Sequence, residues 1–485
     1  MASAQVTGIG PPPVVHDRPR ATLRAKFEHA ALVLFDQGVV SAVNFLTVVL
    51  LARYLPLAEF GVFMVANTIL LLLTGLQNAL VAQPHNILGA QRAGLEYTRL
   101  TAVLGTLQLI GCVLIAIVVA ASGLVWQVFN PSYASVAFAL ALTIPAWMGQ
   151  EFVRRVLYTQ GDVKGAALNN CTSYGLQLAG ILCVVLELGT IDATPANAVL
   201  ALGASSLLAT VFGAYQLRHR VGLRALRELP ELRSRRALIA TLAETWQLSR
   251  WLVAQQGVAW LGVSGNGLIL AAMLGPASFG AYRAAYQIVN VLNPLRQAAT
   301  NHLPSKAARH FAAQGHSGLR EWNRRLSLML ALPFVVCAAL VTIGAEPLAR
   351  LLYGDRVVLD HLQLWVAMGA LAYCLNFART PLDFTVLIAG GGRSLFLRTL
   401  WLNGFVLTAG VALIWRFGIQ GALLSEIICA SMAGWLTWRI YRALFPTGGA
   451  TGSIHADRAN DQADDTHAGD PHCTSTRTAP GGAQA

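Results

Sequence analysis

The chain has 485 residues, of which 55% are hydrophobic and only 12% charged, and its mean hydropathy is +0.54. A soluble protein carries about twice that charged share, which excludes a water-soluble fold. Apolar runs of about 20 residues, each able to cross ~30 Å of hydrocarbon, exclude a barrel of short alternating strands.

Residues 1–27 begin MASAQVTGIGPPP and contain no apolar core of the kind a cleaved signal needs, so they read as a tail. Spans are predicted near 30–52, 58–82, 100–125, 133–153, 166–188 and 196–217. After a basic linker at 218–247 they resume near 250–273, 277–301, 325–345, 361–382, 396–416 and 419–438. The expected fold is an all-α polytopic membrane protein of about 12 transmembrane helices. They form two pseudo-symmetric six-helix bundles, at 28–217 and 248–445. Residues 446–485 are rich in Gly, Ala, Thr and Asp and predict a disordered tail.

The halves are related by a repeat. Residues 36–69 align without a gap on residues 255–288, with eleven of 34 positions identical. The identities include Gln37/Gln256, Gly38/Gly257, Leu51/Leu270, Ala52/Ala271, Leu55/Leu274, Phe60/Phe279 and Gly61/Gly280. A parallel duplication of a membrane bundle is a recurring plan of secondary transporters, with the substrate site between the halves.

The net charge of +12 is topological and does not point to nucleic acid. Arginines and lysines collect on alternate loops: Arg18 to Lys26, Arg92 and Arg99, Arg154 to Lys164, Arg218 to Arg236, Lys306 to Arg325, Arg393, Arg398, Arg439 and Arg442. The opposite side has only Arg53, Arg350, Arg356 and Arg416. The positive-inside rule makes the basic side cytoplasmic, with both termini on it. The linker 218–247 reads as an interfacial helix held by anionic membrane lipids. The longest loop on the other side runs roughly from Glu346 to Asp360.

No phosphate-binding loop of the GxxxxGK[ST] type exists, and the seven cysteines show no CxxC or zinc spacing. No catalytic residue, cofactor or metal is expected. The acidic and histidine residues of the tail (His455, Asp457, His467, Asp470, His472) with Cys473 read as a solvated tail.

Polar residues inside the apolar spans are the candidate site. On the eighth span Arg283, Gln287, Asn290, Pro294, Gln297 and Asn301 fall within about 40° of one line at 100° per residue. An arginine within the hydrocarbon must face protein or water. The stripe is therefore either helix–helix glue or the wall of a hydrated cationic cavity for an anion. Arg296 sits about 140° off that line. The second span repeats the pattern weakly with Asn67, Thr74, Asn78 and His85, the last placed at a loop end beside Pro84. Asp36, in the first span, is either a coupling carboxylate or a paired structural acid. Asp36 and Thr47 share a face, as do their repeat partners Gln255 and Asn266. Arg379 and Asp383 predict an i,i+4 ion pair, and Glu426 has no evident role.

The stretch LLARYLPLAEFGVFMVANTI, through Leu51, Ala52, Arg53, Leu55, Glu59, Phe60 and Gly61, resembles the opening of the polysaccharide exporters. These are the O-antigen and exopolysaccharide lipid-intermediate flippases of the multidrug/oligosaccharidyl-lipid/polysaccharide (MOP) exporter superfamily. The second copy carries Leu274, Pro276, Phe279 and Gly280, and the resemblance spans roughly 28–445. It implies two bundles rocking between inward- and outward-open states in the bacterial inner membrane. The cargo would be a polyprenyl-pyrophosphate-linked oligosaccharide, with polysaccharide polymerase or export proteins as further partners. A multidrug antiporter of the same superfamily, a peptidoglycan-precursor flippase and a membrane polysaccharide polymerase are the alternatives. An Arg-lined wall disfavours the first, and the short outward loops disfavour the last.

Overall fold

A computed structural model describes residues 23–89, 91–92, 94–218, 235–354 and 360–445. The tail expectations for 1–22 and 446–485, and the linker segment 219–234, lie outside the described residues. Everything described is helix or short connection.

Six helices form the first half: α1 (Leu23–Tyr54), α2 (Leu57–Gly89), α3 (Gly94–Phe129), α4 (Pro131–Thr159), α5 (Val163–Val185) and α6 (Pro195–Leu217). Their starts follow local chemistry. Asn130 and Thr194 cap α4 and α6 by accepting from the Ser132 and Asn197 amides, and each is followed by a proline at the first helical position. Asp162 caps α5 through the Gly165 amide.

The second half is written in longer runs broken at glycines. Arg235–Val289 is interrupted at Gly275, whose φ of 82° lies outside the helical region and is open to glycine at little steric cost. This leaves α7 (235–274) and α8, which starts at Pro276. A 3-10 turn, Asn290–Leu292, carries α8 into the run Asn293–Ile343. That run breaks at Gly315 to give α9 (316–343). Next come α10 (Leu362–Ile388), α11 (392–417, with a π turn at Val406–Gly410) and α12 (419–444), the last two separated at Gly418.

Among the described residues, seven helical runs are long and apolar enough to cross a membrane, or eight if Leu332–Ile343 and the short helix Ala345–Tyr353, bent by 66°, count as one. The Ile239–Leu292 and Gly392–Leu444 runs each hold two helices. Helices α5 and α10 fall below that apolarity because they carry Asn169, Asn170, Gln177, Arg379 and Asp383. The chain is a multi-pass helical membrane protein.

Three sequence expectations are corrected. The second span does not end at 82. A π turn at Asn78–Ala82 precedes Pro84, and the helix runs on to Gly89. His85 is therefore a buried helical residue 2.9 Å from Thr101 Oγ1, not a loop end. The region expected as a loop from Glu346 contains the helix Ala345–Tyr353, anchored by the buried Tyr353 hydroxyl donating to the Ala284 carbonyl (2.8 Å). Residues 235–247, expected in the linker, are the first turns of α7.

The repeat signature has a physical meaning. A Cβ on Gly61 would lie 1.8 Å from the Pro276 carbonyl oxygen, and one on Gly280 would lie 2.3 Å from that of Leu57. Residues 57 and 276, like 61 and 280, are equivalent in the repeat. The two copies thus cross reciprocally, α2 over α8, at the end remote from the arginine-rich loops. Phe60 and Phe279 are buried beside the crossing. From there α2 packs along α7. At the other end Ser249 donates to the Leu80 carbonyl (3.3 Å), and Arg92 pairs with Glu244 (2.7 Å).

Candidate functional site

In the first half several buried polar groups are paired across helices. Asp36 is buried and accepts from the Tyr158 hydroxyl of α4 and the Asn170 amide of α5, each at 2.7 Å. Two turns further along α5, Gln177 donates to Thr47 (3.1 Å), so Asp36 and Thr47 do share a face, directed at α5. Trp147 Nε1 donates to Thr74 (3.0 Å). Asn67 and Asn78 are half-buried, and neither side chain makes a hydrogen bond among the described residues. Glu151 is held by Arg154 (2.6 Å) and Arg155 (2.8 Å), which takes those cations out of play as free charges.

In the second half a polar column descends between α8, α10 and α12. At its upper level the Tyr282 hydroxyl donates to Glu426, while Ser425 donates to Asn266 of α7 (3.0 Å). Arg283 is half-buried, with its guanidinium 6.0 Å from the Phe279 ring centre. It makes no hydrogen bond or ion pair among the described residues, although its charge acts on Glu426, Tyr282 and Tyr286. At the middle level Arg296 donates to Tyr373 Oη (2.9 Å) and to Asn293 Oδ1 (2.8 Å). At the lowest level Asp383 is shared by Arg379 (3.0 Å) and Arg398 (2.5 Å), and Thr437 donates to it as well (3.0 Å). The predicted Arg379–Asp383 pair is thus part of a larger cluster, and Arg398, expected in a loop, lies buried in α11.

Of the stripe predicted on the eighth span, Gln287 is buried and accepts from Asn290 (3.1 Å). The side chains of Pro294, Gln297 and Asn301 lie outside the described ones. Arg296 lies nearer that line than the expected 140°. A 3-10 turn advances about 120° per residue instead of 100°, so Asn290–Leu292 rotates the following helix by about 60° and leaves Arg296 about 80° from the line. Sequence reasoning missed Tyr158, Asn170, Tyr282 and Tyr373, because a hydropathy pattern counts tyrosine as apolar. It left Glu426 unassigned because its partner is 144 residues away in the chain.

No group of three or more His, Cys, Asp or Glu side chains able to hold a metal ion occurs among the described residues. Paired carboxylates for acid–base chemistry are likewise not assembled. What the column offers, among the described residues, is a cation without a direct partner at its upper level and a tethered one about 20 Å further along by helical rise.

The family model for polysaccharide biosynthesis proteins matches residues 29–300. The chain belongs to this family. No curated protein matches it in sequence. Among solved structures, it is similar to an inward-facing multidrug resistance MATE family transporter of the MOP superfamily, with TM-score 0.64, 14% identity, and 84% of this chain and 95% of that one covered. An outward-facing MATE family transporter matches with TM-score 0.54 and 14% identity, covering 87% and 96%. A MOP superfamily transporter from Pyrococcus furiosus, described as having a binding pocket of reverse polarity, matches with TM-score 0.54 and 13% identity, covering 87% and 96%. The fold is that of the MOP exporters.

Proposed function

We propose that this chain is a flippase that moves a polyprenyl-pyrophosphate-linked oligosaccharide from the cytoplasmic to the outer leaflet of the bacterial inner membrane, for surface or exopolysaccharide assembly. The observation that carries this reading is Arg283: a guanidinium within the apolar region, without a hydrogen-bond or ion-pair partner among the described residues. Such a group costs roughly 3 kcal/mol or more in a bilayer unless it serves a purpose there. Pyrophosphate oxygens match the planar fork of arginine, and the lipid tail can stay in the bilayer while the sugar crosses. The family match to polysaccharide biosynthesis supports the same cargo class.

The α2–α8 crossing supports a state closed at the end remote from the basic loops, and the higher TM-score to the inward-facing relative agrees. Positive-inside bias assigns the closed end to the outer face and both termini to the cytoplasm. Membrane lipids and polymerase or export proteins remain the expected partners. Cells lacking the chain are expected to accumulate lipid-linked oligosaccharide with its sugar facing the cytoplasm. Normal surface polymer in those cells contradicts the reading.

Asp36 supports an ion-coupled cycle. Its carboxyl is buried and held by two neutral donors, an arrangement that stores no counter-cation. Asp36→Asn is expected to lower export by about an order of magnitude, a typical coupling effect, with unchanged membrane abundance on immunoblots. Wild-type export from that variant assigns Asp36 a purely structural role.

A further inference from the structure

Glu426 stands on α12 about 12 Å, by helical rise, beyond the break at Gly418. It is half-buried, and one of its oxygens accepts from Tyr282. No ion pair to it exists among the described residues, although Arg283, the residue next to its phenol partner, acts on it through space. A carboxylate in an apolar setting is ordinarily neutralised by a salt bridge or by a proton. Here the available cation stands beyond ion-pair distance, which leaves the proton.

Among the described residues the groups around Glu426 are mostly neutral. On α8 it is contacted by Tyr282, which precedes Arg283 and packs on Tyr286 with ring centres 5.7 Å apart. Tyr373 of α10 shares its influence on Tyr286, and Cys429 lies on its own helix. On the side of α7 the neighbouring contact is the neutral Ser425–Asn266 bond. Arg283 is therefore the one charge through which a change at Glu426 would be felt locally, among the described residues.

We propose that Glu426 is a proton-binding site that sets how much positive charge Arg283 presents to an anion. With Glu426 ionised, the carboxylate and the guanidinium nearly cancel for an approaching pyrophosphate. With Glu426 protonated, the upper level of the column carries a net positive charge. Proton and anion then bind together, and by linkage each strengthens the other to the same degree. This rests on the reading of Arg283 as the anion's partner and adds how its strength is controlled. This control lies in one carboxylate–phenol pair of the second half, separate from Asp36 in the first.

The test uses purified full-length protein in lipid nanodiscs and inorganic pyrophosphate as the probe, with binding measured calorimetrically from about pH 5.5 to 8.5. Comparison of wild type with Glu426→Gln at each pH removes the titration of the pyrophosphate itself. The variant is expected to bind about 10-fold more tightly than wild type at the alkaline end, within the usual range of coupling, and equally at the acidic end. Tyr282→Phe removes the donor that favours the ionised form, so its affinity should follow the Gln variant up to a higher pH than wild type does. A constant ratio between wild type and Glu426→Gln across the range overturns the proposal while leaving Arg283 as the anion's partner. If Glu426→Gln does not yield folded protein, an unshifted pH profile in Tyr282→Phe overturns it instead. Absence of pyrophosphate binding by wild type at every pH overturns both this proposal and the reading of Arg283.

Discussion

Replacing Arg283 by alanine is expected to abolish export of the polymer without lowering the amount of protein in the membrane. The size of the effect follows from what the guanidinium would supply. Two charge-assisted hydrogen bonds to a pyrophosphate contribute about 3 kcal/mol together at the low end of their range, roughly a 100-fold change in affinity. In a low-dielectric site the attraction is stronger than in water. Because Arg283 has no hydrogen bond or ion pair among the described residues, its removal leaves no orphaned partner to destabilise the fold. Arg283→Lys keeps the charge and loses the fork, so it should recover only part of the activity, about a tenth. Arg296→Ala should also impair export, but it frees Asn293 and Tyr373 and will lower the melting temperature as well. Full export by Arg283→Ala with loss in Arg296→Ala would move the anion's partner one level down the column.

The second large effect concerns the crossing of the two repeats. A side chain at Gly61 or Gly280 must enter the space of a backbone carbonyl on the other copy. A carbonyl in a helix cannot rotate aside as a side chain can, so the helices must separate. Gly61→Val and Gly280→Val are each expected to cost about 2–3 kcal/mol through overpacking, read as a lower melting temperature, and to abolish export by spreading the closed end. Gly257 is shared by the same repeat but has open space around it, so Gly257→Ala should leave both readings unchanged. Wild-type melting and export in Gly61→Val would mean that the crossing is not held closed during the cycle.

These two cases show what the sequence made legible. The repeat could be read because duplication preserved the glycines and aromatics at which the copies meet, and its register led directly to the contact. The multi-pass helical character could be read as well, because hydrocarbon thickness sets the length of an apolar helix. The site was legible only in part. Periodicity located Arg283 inside the membrane, but it assumed an unbroken 100° advance. The 3-10 turn at Asn290–Leu292 has no composition signal, and it is what brings Arg296 back toward Arg283. The partners of Asp36 and Glu426 lie 122 and 144 residues away in sequence, so one chain read by itself does not pair them. Asp36 could be placed on the first helix, but whether it was free or held depended on Tyr158 and Asn170.

The claim that the chain moves a pyrophosphate-linked oligosaccharide across a bilayer is tested most directly in proteoliposomes containing only the purified protein and that lipid. Access of an external, membrane-impermeant glycosidase to the sugar reports which leaflet holds it. Wild-type protein should make the shielded pool accessible within the assay, and Arg283→Ala should leave it as shielded as in protein-free vesicles. Equal accessibility with wild type, with Arg283→Ala and with no protein would contradict the account.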